Sequence, residues 1–234
     1  MKFPNAAKGV KKLFTAELLK LISVICLIAS IICAVLLYVS AVNQTSAGAG
    51  ASAIATFIFL MAAGVLVLIS GIMMLVGLVQ AARDESSFKS SLICILVEVV
   101  ALIVSSIISA NNTAGISENA FDLAVAGSAI SLSHLITSIA SLLITIFIIT
   151  GIIRLADQLN DGSVSAKGTN LLKVIVVLNI LVIIADIIAL IFGANPASTA
   201  TCGILLIVAL VLQIVQYFMY LSLLSNGKKM LADN

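Results

Sequence analysis

Read for hydropathy, the chain is a succession of long apolar runs separated by short polar stretches. Six runs reach the length that matters, Ile22–Val42, Ile54–Gln80, Leu92–Ala110, Ser128–Ile153, Val174–Ala194 and Thr201–Leu224. A helix needs about 20 apolar residues to cross the roughly 30 Å hydrocarbon core of a bilayer. The pattern therefore predicts an all-α polytopic membrane helix bundle with six transmembrane helices. The first run could be taken for a cleavable leader, because Ala47, Ala49, Ala51 and Ala53 offer small-residue cleavage sites. Its 21 residues exceed the apolar core of a signal peptide, which is about 7–15 residues. A retained helix is expected.

Charge then gives the runs a direction. The twelve basic residues are Lys2, Lys8, Lys11, Lys12, Lys20, Arg83, Lys89, Arg154, Lys167, Lys173, Lys228 and Lys229. All lie before run one, between runs two and three, between four and five, or after six. The three opposite connections carry none of them; their charges are the acidic Glu118 and Asp122 in Asn111–Gly127. Lys and Arg are retained on the cytoplasmic side during insertion. The pattern predicts both termini in the cytoplasm, and it supports an even number of spans independently of hydropathy.

An internal repeat groups the runs in pairs. Lys20, Lys89 and Lys173 each open a run that closes near Asn43, Asn112 and Asn195, separations of 23, 23 and 22 positions. At about 1.5 Å per residue each is roughly one bilayer core. The returning runs end in Val76-Gly77-Leu78-Val79-Gln80-Ala81-Ala82-Arg83, in Thr150-Gly151-Ile152-Ile153-Arg154-Leu155-Ala156-Asp157 and in Asn226-Gly227-Lys228-Lys229. The first two resemble each other, and the third does so loosely. We read one transmembrane domain over 1–234, built as three tandem hairpins at about 20–83, 89–157 and 173–229. Residues 1–21 precede them. Lys8, Lys11 and Lys12 fall near one side of that segment and Val10, Leu13, Phe14 and Leu18 towards another, as in a helix lying at a membrane surface.

Composition agrees with a lipid setting: 62% of residues are hydrophobic and 9% charged, against about 45–50% and 25% in soluble domains. The net charge of +2 and the lack of a basic patch interleaved with aromatics exclude a nucleic-acid surface. The expected partners are the lipid bilayer and either a second copy of the chain or another membrane subunit. Short loops and twelve inward charges suit a bacterial cytoplasmic membrane. Cys26, Cys33, Cys94 and Cys202 all sit in apolar runs without a CxxC pair, and small buried hydrophobes is the expected role.

Candidate chemistry is confined to polar groups inside the runs. Glu98 lies nine positions from Lys89, about 13 Å into the core, and Asp186 thirteen from Lys173, about 20 Å in. Intramembrane acids usually face the bundle interior and often mark ion or proton routes. No Lys or Arg lies deep in a run to pair with them, and unpaired burial favours the neutral acid. At least one is expected to be protonated at neutral pH. Asn179 shares a face with Asp186, and Gln213 and Gln216 share one with Tyr220. On run four, Ser131, His134, Ser138, Ser141 and Thr145 follow a three–four spacing that puts them on one face. Such stripes let membrane helices pack closely and hydrogen-bond across the contact. The candidate polar or ion site is therefore Glu98, Asp186, Asn179, Gln213 and Gln216.

Catalytic signatures are missing. The chain has no GxxxxGK[ST] loop, no HExxH and no GxSxG, the motifs that carry phosphate binding, zinc hydrolysis and an activated serine. A lone histidine, His134, falls short of the three or four ligands of a zinc site. No catalytic residue, cofactor or metal is expected, and the chain is not expected to be an enzyme. Its expected role is non-catalytic binding or structural association in the membrane. The alternative is a small ion-coupled transporter or the substrate-binding membrane subunit of a transport system.

Overall fold

A computed structural model describes residues 2–42, 46–114, 120–192 and 196–233, with side chains placed for 2–40, 42, 50–107, 136–180 and 211–233. The fold is all-α. Six helices follow one another: α1 (Pro4–Val42), α2 (Ser46–Ala81), α3 (Ser87–Ala114), α4 (Ala120–Gln158), α5 (Gly162–Phe192) and α6 (Pro196–Asp233). Four described stretches, Pro4–Ser40, Gly50–Ala81, Ser87–Ile107 and Ile136–Gln158, are long and apolar enough to cross a bilayer, and the chain is a multi-pass membrane protein. The side chains of run five after Ile180 and of run six before Val211 lie outside those described.

The helices form a ring in chain order, with α6 returning to α1. The α1–α2 contact is the most extensive, and the α2–α3 seam is thin. Neighbours run antiparallel. Early in α1, Gly9 lies against Gly77 and Ala81. Further on, Ser23 Oγ donates to the Ala63 carbonyl at 3.1 Å and Ser30 Oγ to that of Thr56 at 3.4 Å. Likewise Phe88 at the start of α3 packs on Gly151, and Ser91 Oγ donates to the Ile144 carbonyl at 3.2 Å.

One end of the ring is densely packed. Ala6, Val10 and Leu13 of α1 meet Leu78 and Ala81 of α2, Phe88 of α3, Ile148, Ile152 and Leu155 of α4, Leu171 of α5, and Leu223, Leu224 and Leu231 of α6. The sequence predicts a surface helix over Ala6–Leu21, yet this segment continues into α1 without a break and buries Ala6, Val10 and Leu13 in that core. The glycine pair explains how it fits. A Cβ on Gly9 would stand 2.5 Å from the Gly77 carbonyl oxygen and 2.7 Å from the Ala81 nitrogen. Only glycine lets the two backbones approach so closely.

Caps tie the same end together. Pro4 opens α1, where its missing N–H costs nothing. The next donors, Asn5 N and Ala6 N, both reach Asp84 Oδ2, at 2.9 and 2.8 Å, so the α2–α3 turn caps α1. Lys2 Nζ donates to the Gln158 carbonyl at the end of α4. After α4, Asn160 takes a left-handed φ of 57°. The bonds Asn160 N to Asp157 O and Asp161 N to Ala156 O complete a Schellman turn. Asp161 then caps α5 through Ser163 N and Val164 N. A bond from the Ser163 hydroxyl at 2.8 Å, followed by the N–H bonds of Val164 and Ser163, holds its carboxyl below the ordinary value. Between turns, Arg154 and Glu85 pair at 3.3 Å.

Candidate functional site

Four of the helices, α1, α4, α5 and α6, carry an inward stripe that changes character along its length. On α1 the residues Ala6, Val10, Leu13 and Glu17 follow at four, three and four positions, one face of a helix. The first three are core, and Glu17 continues their face, only 6% exposed. On α5, Leu171 and Ile175 precede Asn179. On α6, read back from the packed end, Leu224 and Tyr220 precede Gln216 and Gln213. On α4, Ile152 and Ile148 give way to Thr145 and Ser141. Where apolar gives way to polar, the side chains stop filling the interior. A cavity of about 550 Å³ opens there, lined by residues of all six helices.

The charges in it come from α1 and α3. Lys20 Nζ lies 3.0 Å from Glu17 Oε1 and 3.7 Å from Met74 Sδ. Tyr217 OH donates to the Glu17 main-chain carbonyl at 2.8 Å, joining α6 to α1 beside this pair. Glu98 makes no hydrogen bond or ion pair among the described residues, although Lys20 is close enough to act on it electrostatically. The sequence predicts no cation for the intramembrane acids; for Glu98 this is corrected, because continuous α1 carries Lys20 to its level. Asn179 Nδ2 donates to the Ile175 carbonyl at 2.8 Å and Thr145 Oγ1 to that of Ser141 at 3.0 Å. Gln216 Oε1 is buried without a hydrogen-bond partner among the described residues.

Comparison with protein-family models, with curated proteins and with solved structures gives no match. The reading of the site therefore rests on its chemistry.

Of the five residues singled out from sequence, Glu98, Asn179, Gln213 and Gln216 line this one cavity. The Asp186 side chain lies outside the described residues, as do Ser131, His134 and Cys202. Ser141 and Thr145 of the run-four stripe also line the cavity. Sequence reasoning missed Glu17, Lys20 and Tyr217. Glu17 was detectable, since it stands in register with Val10 and Leu13. Among the described residues no cluster of three His, Cys, Asp or Glu side chains is placed to hold a metal ion. The donor set instead suits reversible polar contacts with a small molecule: two carboxylates, one ammonium, amides and phenols.

Proposed function

We propose that this multi-pass membrane protein acts without covalent catalysis, by binding a small polar molecule in the cavity shared by its helices. In this reading six helices cross the bilayer as three tandem hairpins, with both termini on the cytoplasmic side of a bacterial membrane. What carries the reading is the convergence of polar side chains from five of the six helices, all but α2, on one cavity. Polar groups at this depth are costly unless they face an interior. Polar contributions from five helices are more than a single interhelical bond requires. Supporting the orientation, the N-terminus, the α2–α3 and α4–α5 turns and the end of α6 are joined at one end. The links are Asn5 to Asp84, Lys2 to Gln158, and Lys228 over the Phe14 ring at 4.7 Å.

A second reading has its own support. Glu98 in the cavity, with a cation in reach, is the arrangement a small ion-coupled transporter or a substrate-binding transport subunit uses to couple charge to movement. Proteoliposomes separate the two. For transport, Glu98→Gln or Asp186→Asn abolishes a pH-dependent flux while the protein still folds. For binding alone, no flux is seen, but solutes raise the unfolding temperature of the wild type and lose that effect in cavity variants. If the variants change thermal stability alone and no solute acts, the cavity is a packing feature and both readings fail.

A further inference from the structure

We propose that the cavity takes a small organic monocation bearing N–H donors, of the primary alkylammonium class; this rests on the binding reading above. The charges in the lining are unequal. Glu17 and Lys20 are bonded to each other at 3.0 Å and sum to zero. Glu98 is left over, without a hydrogen bond among the described residues. Lys20 acts on Glu98 from a distance but is bonded to Glu17, so a bound cation would be the partner that Glu98 lacks.

The hydrogen-bond inventory points the same way. Asn179, Thr145 and Tyr217 already donate to main-chain carbonyls. Among the described residues, two acceptors of the lining lack a donor, the Glu98 carboxyl and the buried Gln216 Oε1. A buried amide oxygen without a donor is a destabilised group that an incoming N–H relieves. A ligand that brings donors and positive charge meets both needs. An anion would face Glu17 and Glu98, and a purely apolar molecule would leave Gln216 as it is. Volume restricts the class further. At about 550 Å³ the cavity far exceeds a bare ion and falls within the range of small-molecule sites, about 300–1,000 Å³. Tyr217 and Tyr220 in the wall add aromatic surface, which attracts cations.

The test compares three molecules of one size, butylammonium, butyrate and butanol, each at about 10 mM, on the unfolding of the full chain in detergent, where a bound ligand stabilises by mass action. Butylammonium alone is expected to raise the midpoint of the wild type. Its apparent Kd is expected to weaken about tenfold in Glu98→Gln and again in Gln216→Leu. Equal stabilisation by butyrate or butanol, or undiminished stabilisation of Glu98→Gln by butylammonium, overturns the cation assignment and leaves solute binding standing. If none of the three moves the wild type, the assignment falls. A wider solute screen then decides the binding reading separately: a hit that Gln216→Leu abolishes keeps it, and no such hit ends it.

Discussion

The two levels of this bundle are packed from different materials. At the capped end many of the fully buried side chains are large, among them Leu13, Leu78, Phe88, Ile148, Ile149, Ile152, Leu171 and Leu224. Further along α1–α4 the buried residues are small, namely Ser23, Ser30, Ala63, Ser70, Ala101 and Ala140, while Leu68 and Leu96 are 69% and 66% exposed. Solvent accounts for the contrast. In the proposed placement the capped end meets water, which drives large apolar groups together. Lipid exerts no such drive, so in the bilayer large side chains face outward and small ones let the helices touch. The cavity lies between these regimes, where neither force fills the interior and polar side chains can persist.

The sharpest way to break the contrast is to spoil the close approach at the capped end. Gly9→Val sets a branched side chain against the Gly77 and Ala81 backbone, which cannot move aside. A loss of about 3 kcal/mol is expected, the upper part of the range for overpacking, seen as a large drop in unfolding temperature in detergent. Gly64 is the control, because a methyl group added there would meet nothing within 4 Å. Gly64→Ala is expected to be neutral or slightly stabilising, because alanine favours the helix by up to about 1 kcal/mol. Equal damage at both positions would contradict a packed end and a looser membrane level.

A smaller effect of opposite sign is expected in the cavity. Gln216→Leu removes a buried acceptor that has no partner among the described residues, so it is expected to stabilise by about 1 kcal/mol while weakening ligand binding. Loss of stability instead would show that Gln216 supports packing.

The smallest effect is at Arg154–Glu85. Arg154 is more than half exposed, so solvent screening limits Arg154→Met to a cost of about 0.5 kcal/mol. The partner carboxyl carries a pH signature. Burial alone would raise the Glu85 carboxyl; bonds from Ser87 and Arg154 outweigh it and hold the group below 4.5, its ordinary value. The unfolded chain therefore takes up the proton first as pH falls. Stability from Glu85 is complete above pH 4.5 and is lost as pH drops through its lower folded value. Melting curves of wild type and Glu85→Gln are expected to converge on acidification, and a constant gap would contradict the assignment.

Much of this architecture is legible in the chain. Runs of Ile, Leu and Val mark the helices, because a bilayer demands apolar length and little else. Glu98, Asn179, Gln213 and Gln216 were recognisable because polar groups in such runs have few places to go but inward. Glu17 and Lys20 escaped notice because they precede the apolar run, where charge ordinarily means an interfacial segment. Their place in the interior follows from α1 running unbroken from Pro4 and packing on α2 where Gly9 meets Gly77. No window of local sequence contains that contact. The depth and facing of Asp186 are likewise tertiary questions, and its side chain lies outside the described residues.

Thiol accessibility along α6 tests the division between packed end and cavity most directly. Cys26, Cys33, Cys94 and Cys202 are first replaced, and single cysteines are then placed at Gln216, Val215 and Leu224 of the purified full chain. Gln216 lines the cavity, Val215 is exposed on the apolar exterior and Leu224 is fully buried in the packed end. A charged, water-soluble thiol reagent is expected to modify position 216 quickly, and positions 215 and 224 slowly, because detergent covers one and packing the other. Protection of 216 equal to that of 224 would mean that no water-filled cavity exists above the packed end.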